Sequence, residues 1–184
     1  IIKAVDEYQD LLRLSVASAG NDHRLGGNEA PPAIISMFIG SDLKKVLKCI
    51  ENNLPYNEDI LSRMDIDVDV LPSFMKDTTD RNRTSPFAFT GNKFEFRMLG
   101  STCNIACPNT ILNTIVANSL CDYADILETS SNIDETINQI IKDTMKKHSR
   151  IIFNGNNYAE EWVIEAEIRG LSNFKTAVDV LPHY

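Results

Sequence analysis

DRNRTSPFAFTGNKFEFRMLG, residues 80–100, is the stretch on which the fold turns. It reads as a strand, a tight Gly91-Asn92 turn and a second strand, because aromatic residues recur at every second position on both sides of a glycine-asparagine pair. In the second strand Phe94, Phe96 and Met98 share one face, and Glu95 and Arg97 share the other. A hairpin with one apolar face needs a second layer to cover it.

That layer is expected downstream. Pro108 to Glu128 reads as a long helix with Ile111, Leu112, Ile115, Val116, Leu120 and Ile126 at core spacing. A further helix over about 132–148 is expected to bury Ile133, Ile137, Ile140, Ile141 and Met145. A shorter one around Tyr158 to Arg169 ends at Gly170, with Trp162 as its packing anchor.

Upstream, residues 3–18 place Leu11, Leu12, Leu14 and Val16 on a helix. NDHRLGGNEAPP (21–32) reads as a loop, because Gly26-Gly27 loosens the backbone and Pro31-Pro32 removes two donors. Ala33 to Ile39 is a buried strand or helix end. Ser41 is expected to cap a helix with Leu43, Val46, Leu47, Ile50 and Leu54 at helical spacing, stopped by Pro55. DIDVDV (65–70) alternates as a half-buried strand does. Its aspartates imitate the start of a calcium loop, but Val70 stands where glycine is needed and Lys76 where glutamate is needed.

Composition narrows the function classes. The 184 residues carry a formal net charge of −8, which argues against nucleic acid as the main partner. No apolar run reaches membrane-spanning length, and the start lacks the basic-then-apolar order of a signal peptide. A cytoplasmic chain with no membrane partner is expected, and the absence of an initiating methionine reads as a fragment. Cys49, Cys103, Cys107 and Cys121 are expected to be reduced thiols, since nothing else points to secretion. Asn82-Arg83-Thr84 matches a glycosylation sequon, which a cytosolic chain never uses.

Three segments bear charge in settings suited to chemistry: Arg24 and Glu29 in the loop, Arg81-Asn82-Arg83 entering the hairpin, and Glu95 with Arg97 on the strand. Guanidinium forks suit carboxylate and phosphate, and a strand carboxylate suits magnesium. Together they read as a site for an anionic phosphoryl substrate with a divalent cation. A surface ion-pair cluster of Glu95, Arg97 and Arg83 satisfies the same spacing, and spacing alone leaves both readings open. His23 sits in the loop within reach of a substrate. His148, at a helix end, is expected to interact with the helix dipole.

GNDHRLGGNEAPPAIISMFIG (20–40) and DRNRTSPFAFTGNKFEFRMLGS (80–101) resemble type III glutamine synthetase. NTILNTIVANSL (109–120) and IIFNGNNYAEEWVIEAEIRGL (151–171) resemble the same family. The resemblance implies an ATP-dependent ligase joining glutamate and ammonia through γ-glutamyl phosphate, with ATP and Mg²⁺ or Mn²⁺ as cofactors. It implies that Arg24 binds the glutamate carboxylate. Glu29 closes the site as a flap and helps to deprotonate ammonium. Arg83 contacts the ATP phosphates and the transferring group, and Lys93 is an ATP contact. Glu95 is a metal ligand, and Arg97 holds substrate or the phosphoryl group.

The same resemblance implies an α+β fold: antiparallel strands carrying the active site, backed by C-terminal helices. Residues 1–184 would be a fragment of the catalytic domain, with an insertion at about 41–79 and a helical C-terminal part from about 108. Family members form large ring-shaped homo-oligomers. Two departures stand out, since better-known bacterial members carry arginine at the positions of Ala88 and Lys93. The family's other metal ligands and its ammonia-site aspartate have no counterpart here, so the segment alone is expected to be inactive. Two further readings are a non-catalytic homologue that binds nucleotide or glutamate, and a guanidino-phosphagen kinase. The EAPPAI loop and the FEFR strand fit the kinase poorly.

Overall fold

The computed structural model describes residues 1–27, 29–55, 63–64, 74–75 and 84–183. The N-terminal part runs α1 (Ile2–Glu7), α2 (Gln9–Ser15), α3 (Ala19–Arg24), β1 (Met37–Phe38) and α4 (Ser41–Glu51). There follow β2 (Arg63–Met64), β3 (Phe74–Met75), β4 (Phe87–Phe89) and β5 (Phe94–Phe96). The C-terminal part is helical: α5 (Ala106–Glu128), α6 (Ile133–His148), α7 (Glu160–Ile168) and α8 (Ala177–Val180). The architecture is α+β.

The hairpin forms where its turn signal stands. β4 and β5 pair antiparallel with Ala88 opposite Glu95, and Thr90 N donates to Lys93 O at 2.9 Å. Gly91 takes φ +93°, which a side chain rarely tolerates. β1 joins β4 in parallel, giving the order β1-β4-β5. The chain at Ile152 runs alongside β1, with Phe153 N donating to Met37 O at 2.9 Å. β2 and β3 pair antiparallel in a separate two-stranded ribbon.

One core joins the sheet to the helices: Leu12, Ile34, Met37, Phe87, Ile115, Ile151 and Trp162 are all at most 2% exposed. Phe153 stacks on Trp162 with centroids 3.7 Å apart, so Trp162 is the anchor its position in the sequence predicts. Gly170, at φ +70°, lies just past the end of α7 as expected.

Several expectations are corrected. The helix over 3–18 is two, broken at Tyr8 (φ −115°, ψ 27°). Residues 21–24 are not loop but the last turns of α3, because the Ser18 side chain caps that helix by accepting from Asn21 N at 3.2 Å. Ser41 is not the cap of α4. Gly40 takes that position at φ +80°, and Ser41 Oγ turns instead to Asp42 Oδ1 at 3.3 Å. α4 stops at Glu51, before Pro55, and leaves Leu54 exposed. On α5 the buried stripe runs through Pro108, Ile115 and Ser119, so Leu120 and Ile126 are exposed. Only the C-terminal half of α6 packs: Met145 and His148 are buried, while Ile133 and Ile137 are exposed.

His148 lies in the last turn of α6, as expected, and it also has a side-chain partner. Its Nδ1 lies 2.8 Å from Asp6 Oδ2, and Arg150 Nε donates to Asp6 Oδ1 at 2.8 Å. This buried knot ties α1 to the end of α6. The aspartates of 65–70 and the Arg81-Asn82-Arg83 segment lie outside the described residues.

Candidate active site

The site begins with how α3 is held. Asp22 accepts from the buried Arg13 Nη2 at 2.6 Å and from Ala177 N at 2.6 Å, which locks the helix between α2 and the start of α8. Asn21 is 2% exposed, and its amide nitrogen donates to Val16 O at 2.8 Å and Met98 O at 3.0 Å. Its amide oxygen accepts from Arg24 Nε at 3.0 Å, and Arg24 Nη2 also donates to Met98 O at 2.8 Å. Because Arg24 can only donate, this network fixes which side of the Asn21 amide is oxygen. Arg24 is thus aimed by the end of α3 and by the chain leaving β5.

The loop after Arg24 closes on itself. Gly26, at φ +78°, donates its N–H to Ala30 O at 3.2 Å and Pro31 O at 2.9 Å. Gly27 N donates to Arg24 O at 3.1 Å. The hydroxyl of Tyr158 donates to Glu29 O at 3.3 Å, so the segment before α7 reaches across to the tip of this loop.

Arg24 and Glu29 both line a cavity of about 630 Å³, together with Asn21, His23, Gly100 and Ser101. They also line a neighbouring pocket of about 50 Å³ with Ser85, Arg97 and Tyr158. Three of the predicted residues, Arg24, Glu29 and Arg97, therefore rim one continuous depression. Glu95 joins through Arg97, whose Nε lies 3.0 Å from Glu95 Oε2. Lys93 Nζ lies 3.1 Å from Glu95 Oε1, with its side chain 65% exposed. Arg83 lies outside the described residues.

Glu95 is flanked by two cations, Lys93 and Arg97. Hydrogen bonds from Lys93 and then Arg97 hold the Glu95 carboxyl below the usual carboxylate range. Glu95 therefore stays ionised, as a ligand for a hard divalent cation must. Among the described residues no three His, Cys, Asp or Glu side chains converge into a metal cage. One carboxylate is nonetheless what Mg²⁺ commonly takes from protein when substrate phosphates and water supply the rest. The donor set fits one position of such a coordination sphere.

Sequence reasoning missed Asn21, Gly100 and Tyr158. A Cβ on Gly100 would stand 3.1 Å from Asn21 Oδ1, so the glycine leaves room for the amide that aims Arg24. Gly100 belongs to the quoted hairpin stretch, but its counterpart across the fold is invisible in a linear pattern.

The family described as "Glutamine synthetase C-terminal domain" matches residues 136–184. Along its whole length the chain is similar to glutamine synthetases. Among its relatives, the Type-3 glutamine synthetase of Dictyostelium discoideum is 48% identical over 98% of this chain and 25% of the relative. A glutamine synthetase of Butyrivibrio fibrisolvens is 47% identical over 100% of this chain and 26% of the relative. One of Bacteroides fragilis is 42% identical over 100% and 26%. The chain spans about a quarter of the length of these curated relatives.

Proposed function

We propose that this chain is part of the catalytic domain of an ATP-dependent glutamate–ammonia ligase. The observation that supports it best is that Arg24, Glu29 and Arg97 rim one depression, with Glu95 attached to Arg97. In the reaction the γ-phosphoryl group of ATP passes to the glutamate γ-carboxylate, releasing ADP. Ammonia then attacks the γ-carbonyl, and phosphate leaves with the bonding pair.

Each residue has a role in this scheme. Arg24, held by Asn21 and Met98 O, offers its remaining N–H groups to a substrate carboxylate. Arg97 steadies the transferring phosphoryl group, where positioning and charge stabilisation supply most of the catalysis. Arg83 and Lys93 contact the ATP phosphates. Glu29, at the tip of the closed loop, excludes water and takes a proton from ammonium. Glu95 would help to hold Mg²⁺ or Mn²⁺, which when bound neutralises charge on the phosphate oxygens. The chain is a segment of a longer catalytic domain, with about 41–79 as an insertion. Its partners are glutamate, ammonia, ATP and further copies of itself in a ring. Cytoplasmic placement accords with the four free cysteines, and among the described residues no helix is long and apolar enough to cross a membrane.

Glu29→Ala in the full-length protein tests the reading. Glutamine formation is expected to fall by about 10²–10⁴-fold, the usual contribution of a general base, while ATP binding persists. Unchanged glutamine formation overturns the role of Glu29. Absence of glutamine formation in the unsubstituted protein, with nucleotide or glutamate still bound, would instead favour a non-catalytic homologue.

A further inference from the structure

A second cavity, of about 360 Å³, lies between α4 and the end of α6 and shares no lining residue with the depression around Arg24. Six cations line it: Lys44, Lys48, Lys146, Lys147, Arg150 and Arg169, against the single carboxylate of Glu51. Such a concentration is unexpected in a chain of net charge −8. Like charges gathered in a concavity raise the local potential and repel one another unless an anion sits among them.

The two arginines form a fixed floor. Arg150 donates to Asp6 Oδ1 and to Gly170 O, each within 2.9 Å. Arg169 donates to Ile152 O at 2.9 Å and Arg150 O at 3.2 Å, and it pairs with Glu165. Lys147 Nζ lies 3.6 Å from Glu7 Oε1. Lys44, Lys48 and Lys146 form no ion pair with any described residue. Lys44 and Lys48 stand one turn apart on the same face of α4. The Lys44 ammonium is pushed below its ordinary value by burial, then by Lys48 and Arg169, with Glu165 opposing. Three of the six cations are thus paired within the protein, and Lys44, Lys48 and Lys146 give the cleft its surplus of positive charge.

We infer that this cleft is an anion site for a small polyanion of the diphosphate or triphosphate type. Two walls of like charge, α4 on one side and the end of α6 on the other, are bridged best by a ligand with several negative oxygens. Lysines supply point charges and arginines supply forks, the combination that phosphate groups take. The volume limits the guest to a small molecule. The inference is independent of the proposed ligase reaction, because it rests on other residues and on binding alone.

The test is calorimetric titration of the full-length protein with inorganic pyrophosphate in magnesium-free buffer at low salt. Pyrophosphate binding is expected to survive Arg97→Ala, which alters the other depression. It is expected to weaken by about tenfold or more in Lys44→Gln/Lys48→Gln, as loss of two close charges requires. Lys142→Gln/Lys175→Gln, with the same change in net charge elsewhere, is expected to leave binding unchanged. Lys146→Gln on the opposite wall is the second variant, so that misfolding of one leaves the other informative. Rising salt should weaken binding. The inference is overturned if pyrophosphate does not bind, if binding is lost in Arg97→Ala and kept in the lysine variants, or if the control pair weakens it equally.

Discussion

Replacing Asn21 is the sharpest test of how the site is built. Asn21→Ala removes two hydrogen bonds to buried carbonyls, Val16 O and Met98 O, and the one from Arg24 Nε. Met98 O keeps Arg24 Nη2, whereas Val16 O loses the partner described for it in this contact. Neutral bonds contribute about 0.5–1.5 kcal/mol each and a bond to a charged group about 1.5–3 kcal/mol, so the total is about 2.5–6 kcal/mol. Equilibrium urea unfolding should show that loss as a lower midpoint at constant slope. Asn21→Asp separates the two functions of the amide. It keeps an acceptor for Arg24 but turns a carboxylate oxygen toward two carbonyls, so it should destabilise at least as much as alanine. On the proposed role of Arg24, Asn21→Ala should raise the glutamate KM in a glutamine assay more than it lowers kcat, and Asn21→Asp, which keeps the acceptor for Arg24 Nε, should raise it less. An alanine variant within about 0.5 kcal/mol of wild type, the range of substitutions that touch nothing important, would refute the reasoning.

Two other perturbations probe the packing. Asp6→Ala leaves the buried His148 Nδ1 and the part-exposed Arg150 Nε without their shared carboxylate, and should cost about 2–4 kcal/mol of unfolding free energy in the same measurement. Gly155→Ala would set a Cβ 2.5 Å from Phe153 Cζ. Phe153 is held flat against Trp162, so relief by a side-chain swing unstacks the pair. A loss of about 1–3 kcal/mol is expected, together with a changed Trp162 fluorescence spectrum.

The amino-acid sequence determined what is decided within a few residues. The Gly91-Asn92 turn places β4 against β5, because few residues other than glycine accept φ +93° there. Gly170 follows the end of α7 for the same reason, and the apolar spacing marks α5 and α6 even where it overstates how many of their faces are covered. The charged candidates Arg24, Glu29, Glu95 and Arg97 were legible from residue type and setting. What only the tertiary structure decided is who meets whom. Asp6 and His148 are 142 positions apart, Asn21 and Met98 are 77 apart, and Tyr158 and Glu29 are 129 apart. The cationic cleft gathers α4, α6 and Arg169 from distant parts of the chain. Local dihedral preferences act on neighbours and so leave a trace in a short window. Hydrogen bonds and ion pairs between remote groups exist only after the core has brought α1, α3, β5 and α6 together, and no window of sequence contains both partners.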